Sequence, residues 1–385
     1  MATSSSTERY IYLDHAATSP LRAEAREAME PFGDVMYANP SGSHKFAREA
    51  RRAIDEARDV VAAAIGCRPG EVVFTSGGTE GANSAVLGAV RRSGGRAVCT
   101  ATEHHAVLHC VEHVNGVVVP VTPEGPVHPD VVREQLAQTD NVSVVSVMAV
   151  NNETGAINNM ELVSHAVRGR AENAILHTDA VQAACWIDLR TVWPHVDVLT
   201  LSAHKFGGPK GMGVMVVREG VNLEPLILGG GQERDRRSGT HNVAGIVGTA
   251  TALRITDETR EHEVERVRAL RNRLLNELTR NIDCAVATLP DGEGSVGTAH
   301  VCLGGLESES LLYLLDSAGV CVSAASACAS GAMEPSHVLA AMGVPKARIN
   351  GSLRFSFGHT TTDDDISQAV AATVAAAQRL MAVKS

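Results

Sequence analysis

A lysine directly after a predicted strand is the first residue of this chain that could do covalent chemistry. Lys205 ends the segment 202–205, of sequence Ser-Ala-His-Lys, which follows the strand predicted over Val196–Leu201. A lysine amine forms a Schiff base with a carbonyl compound when it is desolvated or lies near another cation. Most loop lysines are solvated, so the interest of Lys205 depends on the residues that accompany it.

Polar residues follow the other predicted strands in the same way. Asp179 ends the strand that begins at Ala174, and Asn152 and Gln182 come just after strand ends. A pyridoxal cofactor requires a carboxylate opposite its pyridine nitrogen, amide donors for its ring oxygen and a lysine. Because ligands of open α/β sheets bind beyond the carboxyl ends of the strands, we expect these side chains to lie together.

A glycine-rich turn could bind the phosphate of such a cofactor. The segment Thr75–Gly81 contains Gly78 and Thr79, follows the strand predicted over Glu71–Phe74 and leads into a helix. Free N–H groups at the start of a helix bind anions such as phosphate. The turn has neither the ending of a nucleotide P-loop nor the Gly-x-Gly-x-x-Gly spacing. By itself it could equally be an ordinary capped turn.

The elements that must position these residues alternate between helices and short apolar strands. Helical spacing extends over 23–66, and strands separated by helical stretches follow, a pattern typical of a mostly parallel α/β sheet. Apolar residues between 264 and 278 recur every three or four positions and predict a long amphipathic helix. We therefore predict an α/β fold with a large domain over 15–260. A small α/β domain is predicted to combine 1–14 with 261–385.

Composition and charge exclude several classes of protein. The 385 residues suffice for two or three domains, and 34 Lys and Arg against 44 Asp and Glu give a net charge of −10. This acidic balance and an aromatic content of 3% argue against direct nucleic-acid binding. No run of about 18 apolar residues and no apolar segment near the first residues is present. We therefore expect a cytoplasmic protein that does not bind a membrane.

The eight cysteines include no Cys-x-x-Cys pair, so neither a zinc ribbon nor a thioredoxin-type motif is predicted. Most are expected to pack as small hydrophobic residues. Cys328 differs, because it lies in a run of Ser, Ala and Gly over 323–331 that contributes little to a core. His105, His109 and His113 recur every four residues and could bind zinc or nickel. An incidental exposed stripe is the preferred interpretation, and no metal site is predicted.

Further motifs support one family. In sequence order they occupy Tyr12–Thr18, Asn39–Ser43, Thr102–Val107, Asn151–Gly155, Arg237–Thr240 and Ser352–Ser356. Together with the segments above, they make the chain resemble a NifS-like cysteine desulfurase, within the class V aminotransferase branch of fold-type I pyridoxal phosphate enzymes. The Cys328 loop resembles that of the long-loop group and departs from it at Ala324 and Ala325. His15 is another departure, since many relatives have Asn there.

The resemblance implies a role for each matching residue. Lys205 would be the Schiff-base lysine, Cys328 the nucleophile that carries sulfur, and His104 would stack on the pyridine ring and assist proton transfer. The other cofactor contacts would come from Gly78, Thr79, Ser202, Ala203, His204 and the partner subunit's Thr240 around the phosphate, from Asp179 at the pyridine nitrogen, and from Asn152 and Gln182 at the ring oxygen. Asn39 and Arg354 would bind the substrate carboxylate, for which a bidentate arginine is suited.

The activity that the resemblance implies is conversion of L-cysteine to L-alanine by a homodimer. The sulfur would remain as a persulfide on Cys328 and pass to an acceptor protein, for iron–sulfur cluster assembly or for thiolation of a nucleic acid or a cofactor. A selenocysteine lyase and a class V aminotransferase are related alternatives. A sulfur-relay scaffold without catalysis is an alternative of another class, and the intact set of Lys205, Asp179, His104 and Cys328 argues against it.

Overall fold

The computed structural model describes residues 10–290, 292–324 and 335–384. The strands in these ranges are β1 Ile11–Tyr12, β2 Val72–Thr75, β3 Arg96–Thr100, β4 Val117–Val119, β5 Val142–Ser146, β6 Ile175–Asp179, β7 Val198–Ser202, β8 Gly213–Val217, β9 Ala285–Ala287, β10 Thr298–Leu303, β11 Val320–Cys321 and β12 Ser352–Ser356. The helices are α1 Ala23–Met29, α2 Pro31–Asp34, α3 Lys45–Ile65, α4 Gly78–Ser93, α5 His105–His113, α6 Pro129–Ala137, α7 Met160–Arg168, α8 Val243–Asn281, α9 Ser308–Ser317, α10 His337–Ala341, α11 Lys346–Ile349 and α12 Asp363–Lys384.

The chain divides into two compact units. The large unit comprises Thr18–Asn151 and Ile157–His262. The small unit comprises the residues up to Ala17, Asn152–Ala156 and the chain from Glu263 onward. The long helix α8, whose amphipathic part was predicted, contributes residues to both.

A seven-stranded sheet forms the centre of the large unit, in the order β2-β8-β7-β6-β5-β3-β4. Strand β8 runs antiparallel to both of its neighbours, and the remaining pairs are parallel. The residues of β2, β7 and β8 are all buried, as expected for strands covered on both faces. The predicted α/β class with a mostly parallel central sheet is confirmed.

The small unit contains two separate groups of strands. Strand β10 pairs antiparallel with both β12 and β9, and β1 pairs parallel with β11. The first pairing brings Arg354 of β12 opposite His300 of β10. Both side chains are buried, so β12 presents a basic residue inside the unit.

Helix α3 illustrates how local sequence sets an element in the large unit. The side chain of His44 caps the first turn by accepting from the N–H of Ala47, and Gly66, at φ 80°, ends the helix. Between them a buried apolar stripe recurs at helical spacing and includes Ile54 and Val61. Capping at both ends and one apolar face explain why this part of the helical stretch predicted over 23–66 forms a helix.

Helix α12 is the one helix in the described ranges that is long and apolar enough to cross a membrane, judged by length and composition alone. Ile366, Ala369, Thr373 and Ala377 are buried and lie on one face, three or four residues apart. A core helix of a globular protein has the same pattern. Of the apolar stretch of α12 that is long enough to cross a membrane, 33% is buried inside the fold.

Candidate active site

Strand ends meet at one edge of the large sheet. Thr75 of β2 is in register with Gly213 of β8, and Gly213 is in register with Ser202 of β7. One strand further, Asp179 of β6 is in register with Thr200 of β7. The turn into α4 and the segment after β7 therefore begin from neighbouring points on the same edge.

The turn into α4 is suited to bind an anion. The N-cap residue is Gly77, which has no side chain to satisfy the first N–H groups of this 16-residue helix. A Cβ on Gly78 would lie only 2.8 Å from Val181 Cγ2, so a glycine is needed for this close approach to Val181; Ser202 Cβ lies 3.5 Å from the same point, at ordinary contact distance. Thr79 is exposed on the first helical turn. This combination suits a phosphate group.

Lys205 ends a single 3₁₀ turn, Ala203–Lys205, that directly follows β7. Its carbonyl oxygen accepts hydrogen bonds from Ser19 Oγ at 3.2 Å and from Cys185 Sγ at 3.6 Å, which hold the backbone of the turn. The neighbouring His204 has its Nδ1 3.1 Å from Thr18 Oγ1. Burial, with the positive charges of Lys205 and Lys210, lowers the pKa of His204 to about 4. At neutral pH this imidazole is therefore uncharged.

Asp179 is the buried carboxyl group of this edge. Its Oδ1 accepts from the N–H of Val181 at 2.9 Å. Burial raises the pKa of Asp179, and attraction from His104 and Lys205 opposes that shift. Those two interactions mean that the predicted lysine, acid and ring-stacking histidine lie near one another. A further cation, such as a protonated pyridine nitrogen, would favour the ionised carboxylate.

His104 caps the amino end of α5. Its Nδ1 accepts from the N–H of Ala106 at 3.1 Å. In a neutral imidazole one nitrogen accepts while the other carries the proton. The hydrogen bond to Ala106 therefore places the proton of neutral His104 on Nε2.

The small unit contains the predicted arginine and one of the predicted amide residues. Arg354 is 6% exposed; its Nη2 donates to Asp14 Oδ1 at 2.7 Å and its Nη1 to the carbonyl of Asn152 at 2.9 Å. Its Nε is buried and has no hydrogen-bond partner in the described part of the chain. The guanidinium is thus held by two acceptors, and its remaining N–H groups are donors that a substrate carboxylate could occupy.

The remaining predicted residues lie outside these groups. Asn39 is exposed and its Oδ1 accepts from the N–H of Ser41 at 3.0 Å, whereas Gln182 is half-buried and Thr240 is exposed. Cys328 lies outside the described residues.

The predicted histidine stripe is on α5. The rings of His105 and His109 stack with centroids 4.7 Å apart. Within the described ranges, no cluster of three or more His, Cys, Asp or Glu side chains is suited to hold a metal ion.

Buried glutamates beside the predicted residues escaped the sequence reasoning. Glu103, next to His104, accepts from Thr100 Oγ1 and from the N–H of Met148, both at 2.7 Å, and burial raises its pKa to about 8. Glu153, next to Asn152, pairs with Ser336 Oγ. Burial raises the pKa of Glu153 to about 7. Both glutamates lie within motifs named above, Thr102–Val107 and Asn151–Gly155, and that position was their signal in the sequence.

The residues of the large unit fit pyridoxal phosphate. The start of α4 and the nearby Ser202 suit the phosphate, and a buried carboxyl group at Asp179 suits the pyridine nitrogen. Lys205 is close enough to that carboxyl group to interact with it electrostatically, so the lysine and the acid lie near one another. This fit rests on the chemistry of these groups and on their positions along one edge of the sheet.

Comparisons with known proteins agree with this fit. The family model described as aminotransferase class-V matches residues 11–369. The chain is 42% identical over 372 residues to an IscS-like cysteine desulfurase of Mycobacterium tuberculosis, covering 93% of this chain and 94% of that protein. It is 40% identical over 368 residues to the cysteine desulfurase IscS of Dictyoglomus turgidum, covering 94% and 92% of the two chains.

A solved structure leads to the same family. A NifS-like protein matches with a TM-score of 0.90 and 32% identity, over 97% of this chain and 100% of that one. Enzymes of the class V family use pyridoxal phosphate. The chain belongs to the class V aminotransferases, and within them to the IscS- and NifS-like cysteine desulfurases.

Proposed function

We propose that this enzyme converts L-cysteine to L-alanine with Lys205 as its Schiff-base lysine and Cys328 as the carrier of the sulfur. The observation that supports this most is the sheet edge at which the buried Asp179 ends β6 and Lys205 ends the turn that follows the neighbouring strand β7. When bound, pyridoxal phosphate withdraws electrons from the substrate Cα and makes bonds near that carbon labile.

The residues of the chain then divide the work of binding and proton transfer. The helix start with Gly78 and Thr79 binds the phosphate, together with Ser202, Ala203 and His204. Asp179 stabilises the protonated pyridine nitrogen, and Asn152 and Gln182 donate to the ring oxygen. The Lys205 amine removes and returns the proton at the substrate Cα, and His104 assists through Nε2. Arg354 and Asn39 orient the substrate carboxylate.

Sulfur transfer requires a nucleophile that belongs to the protein. The Cys328 thiolate attacks the sulfur of the substrate and forms a sulfur–sulfur bond. The carbon–sulfur bond breaks, and its electron pair passes to the carbon skeleton, which takes up a proton and leaves as alanine. The persulfide on Cys328 is then available to an acceptor.

The other cysteines are poor candidates for this nucleophile. The seven thiols in the described ranges are buried or half-buried. Burial raises the thiol pKa of Cys67, Cys99, Cys110, Cys284, Cys302 and Cys321. Because the thiolate is the reactive form, a raised pKa makes a cysteine inert at neutral pH.

The partners that we propose are a second copy of the chain and a sulfur-acceptor protein. In a homodimer, the partner subunit's Thr240 would complete the phosphate site. An iron–sulfur scaffold is the acceptor that we propose first, because relatives carry the name IscS, and a thiolation system for a nucleic acid or a cofactor is the alternative. A cytoplasmic location agrees with the free thiols of the described cysteines.

Replacement of Cys328 tests this proposal. Cys328→Ser is expected to keep the cofactor and its spectral change on addition of cysteine, because those steps need only Lys205 and the residues around it. Alanine and sulfide production should fall by roughly a thousandfold or more, as for loss of an enzyme nucleophile. Mass spectrometry should find one added sulfur on Cys328 of the wild-type protein.

Cys321→Ser is the matched control, because burial raises the pKa of that thiol. It should retain wild-type turnover. Sulfide release by Cys328→Ser at the wild-type rate would show that the proposed sulfur carrier is wrong.

A further inference from the structure

Glu233 of the large unit is a buried carboxylate that the mechanism above does not use. Its side chain is 2% exposed. Oε1 accepts from Arg58 Nη2 at 2.7 Å and from His241 Nε2 at 2.8 Å. Oε2 accepts from Arg58 Nη1 at 2.9 Å and from the N–H of Phe74 at 2.8 Å. Each oxygen thus has two donors.

These donors keep the group ionised. Burial alone would raise its pKa, but hydrogen bonds from His241 and Arg58 lower the pKa of Glu233 to about 2. A buried charge is tolerated only where it is paired and hydrogen-bonded in this way. Loss of the charge would leave several buried donors poorly matched.

The partners of Glu233 belong to two segments that concern the phosphate site. Phe74 is in β2, one residue before the strand ends and the turn into α4 begins. His241 directly follows Thr240 in the sequence. Glu233 and Thr240 both belong to the segment 229–242, called the Thr240 loop below. Glu233 therefore connects this loop to β2, the strand that leads to the phosphate turn.

The backbone of this loop is held in an unfavourable conformation. Glu233, Arg234 and Asp235 have φ values of 49°, 58° and 63°, in the left-handed region that non-glycine residues rarely adopt. Such conformations persist only where the surroundings fix them, and they cluster at functional sites. The four hydrogen bonds to the Glu233 carboxylate provide that constraint at the first of the three residues.

A second ion pair attaches the same loop to the phosphate turn. Arg237 Nε donates to Glu80 Oε1 at 2.9 Å, and Glu80 Oε2 accepts from the N–H of Ser76 at 2.9 Å. Glu80 is the residue after Thr79 on the first turn of α4. The loop is thus tied both to β2 and to the helix start.

We infer that Glu233 is a positioning residue for the cofactor phosphate in the site of the partner subunit, acting by holding the Thr240 loop in its strained conformation against β2. The inference rests on the proposed function, since that assigns phosphate binding to Thr240. It goes further by assigning cofactor affinity to a buried carboxylate that does not itself touch the cofactor.

Glu233→Gln in the full-length protein tests this inference, because glutamine keeps the shape and removes the charge. Hydrogen exchange of 229–242, measured without added cofactor, should become faster. The dissociation constant for pyridoxal phosphate should rise by roughly 10- to 100-fold, the range expected when charge-assisted hydrogen bonds are lost.

Two further variants make the result specific. Glu258→Gln removes the charge of an exposed glutamate of the same unit, which is paired with Arg254. It should change neither the hydrogen exchange of 229–242 nor the affinity for pyridoxal phosphate. The double variant that combines Asp235→Gly with Glu233→Gln should recover part of the cofactor affinity and part of the protection from hydrogen exchange. The reason is that glycine adopts positive φ without strain.

The outcomes separate this inference from the proposed function. If Glu233→Gln lowers the melting temperature while the exchange of 229–242 and the cofactor affinity stay at wild-type values, Glu233 is merely structural and the inference is overturned. A wild-type protein that binds no pyridoxal phosphate would instead overturn the proposed function.

Discussion

Two lysines close to each other in sequence illustrate how position decides reactivity. Lys205 ends the turn directly after β7 and interacts with the buried Asp179, whereas Lys210 is exposed. A Schiff-base lysine reacts as a free amine when it is desolvated or lies near another cation. Lys205 is half-buried at the sheet edge, whereas Lys210 is surrounded by solvent, so Lys205 is the more desolvated of the two.

We expect borohydride reduction of the protein with bound pyridoxal phosphate to fix the cofactor on Lys205. Lys205→Ala should abolish the visible absorbance of the covalent cofactor and alanine production, because no other amine is expected to replace it. Lys210→Ala, the control, should keep both. Peptide mapping of the reduced wild-type protein measures the site directly, and an adduct on Lys210 would refute the assignment.

At this scale the sequence predicts strand-end residues better than it predicts buried partners. Lys205 and Asp179 could be identified because each follows an apolar strand, and the sheet then brings their ends together. Glu103, Glu153 and Glu233 could not, because a glutamate in a sequence is most often a solvated surface charge. Each also has a hydrogen bond from a segment distant in the chain, such as that of Glu153 with Ser336.

The start of α4 gives a prediction at the scale of an element. Gly78→Ala should weaken pyridoxal phosphate binding, because the added Cβ would lie 2.8 Å from Val181 Cγ2. Val181 would have to shift, and its N–H is the donor to Asp179 Oδ1. We expect a loss of roughly tenfold or more in cofactor affinity, measured by fluorescence titration, for disturbing this hydrogen bond to a carboxylate.

Gly77→Ala is the matched control. Nothing lies within 4 Å of a Cβ at Gly77, and its φ of 162° is extended backbone that any residue adopts. Its cofactor affinity should therefore remain within about twofold of the wild-type value. Equal losses in the two variants would mean that close packing at Gly78 is not what shapes the site.

The extents of elements were predicted less well than their existence. The apolar run over 142–150 is long enough for one strand, but β5 ends at Ser146. Beyond it the N–H groups of Val147 and Ala149 still donate to the carbonyls of His177 and Asp179, while the carbonyl of Ala149 accepts from the N–H of Asn158. The apolar run thus continues past the end of the regular strand, and apolar residues alone do not mark where a strand ends.

For the whole molecule, alternation of strands and helices was sufficient to predict the α/β class. It could not predict that β8 runs antiparallel between β2 and β7, because hydrophobic periodicity carries no information about strand direction. The sequence likewise did not indicate that Asn152–Ala156 joins the small unit. Such features depend on contacts between residues far apart in the chain.

The proposed homodimer leads to a prediction about shared sites. Lys205→Ala and Thr240→Asp should each be inactive alone, the second because a carboxylate repels the cofactor phosphate. In a hybrid dimer, one site would combine an intact Lys205 from one subunit with the intact Thr240 loop of the other. Random mixing in equal amounts should therefore restore about a quarter of the wild-type activity, since half of the dimers are hybrids with one working site of two.

Native mass spectrometry should verify that hybrids form, because the two variants differ in mass. If each site lay within one subunit, both sites of a hybrid would carry a defect, and the mixture would stay inactive. Verified hybrids without activity would therefore contradict the shared site. Exposure of Thr240 on the large unit agrees with a residue that reaches out of its own chain. The hydrogen bonds of His241 with Glu233 and of Arg237 with Glu80 would then hold the loop so that it presents Thr240 to the partner subunit in a fixed position.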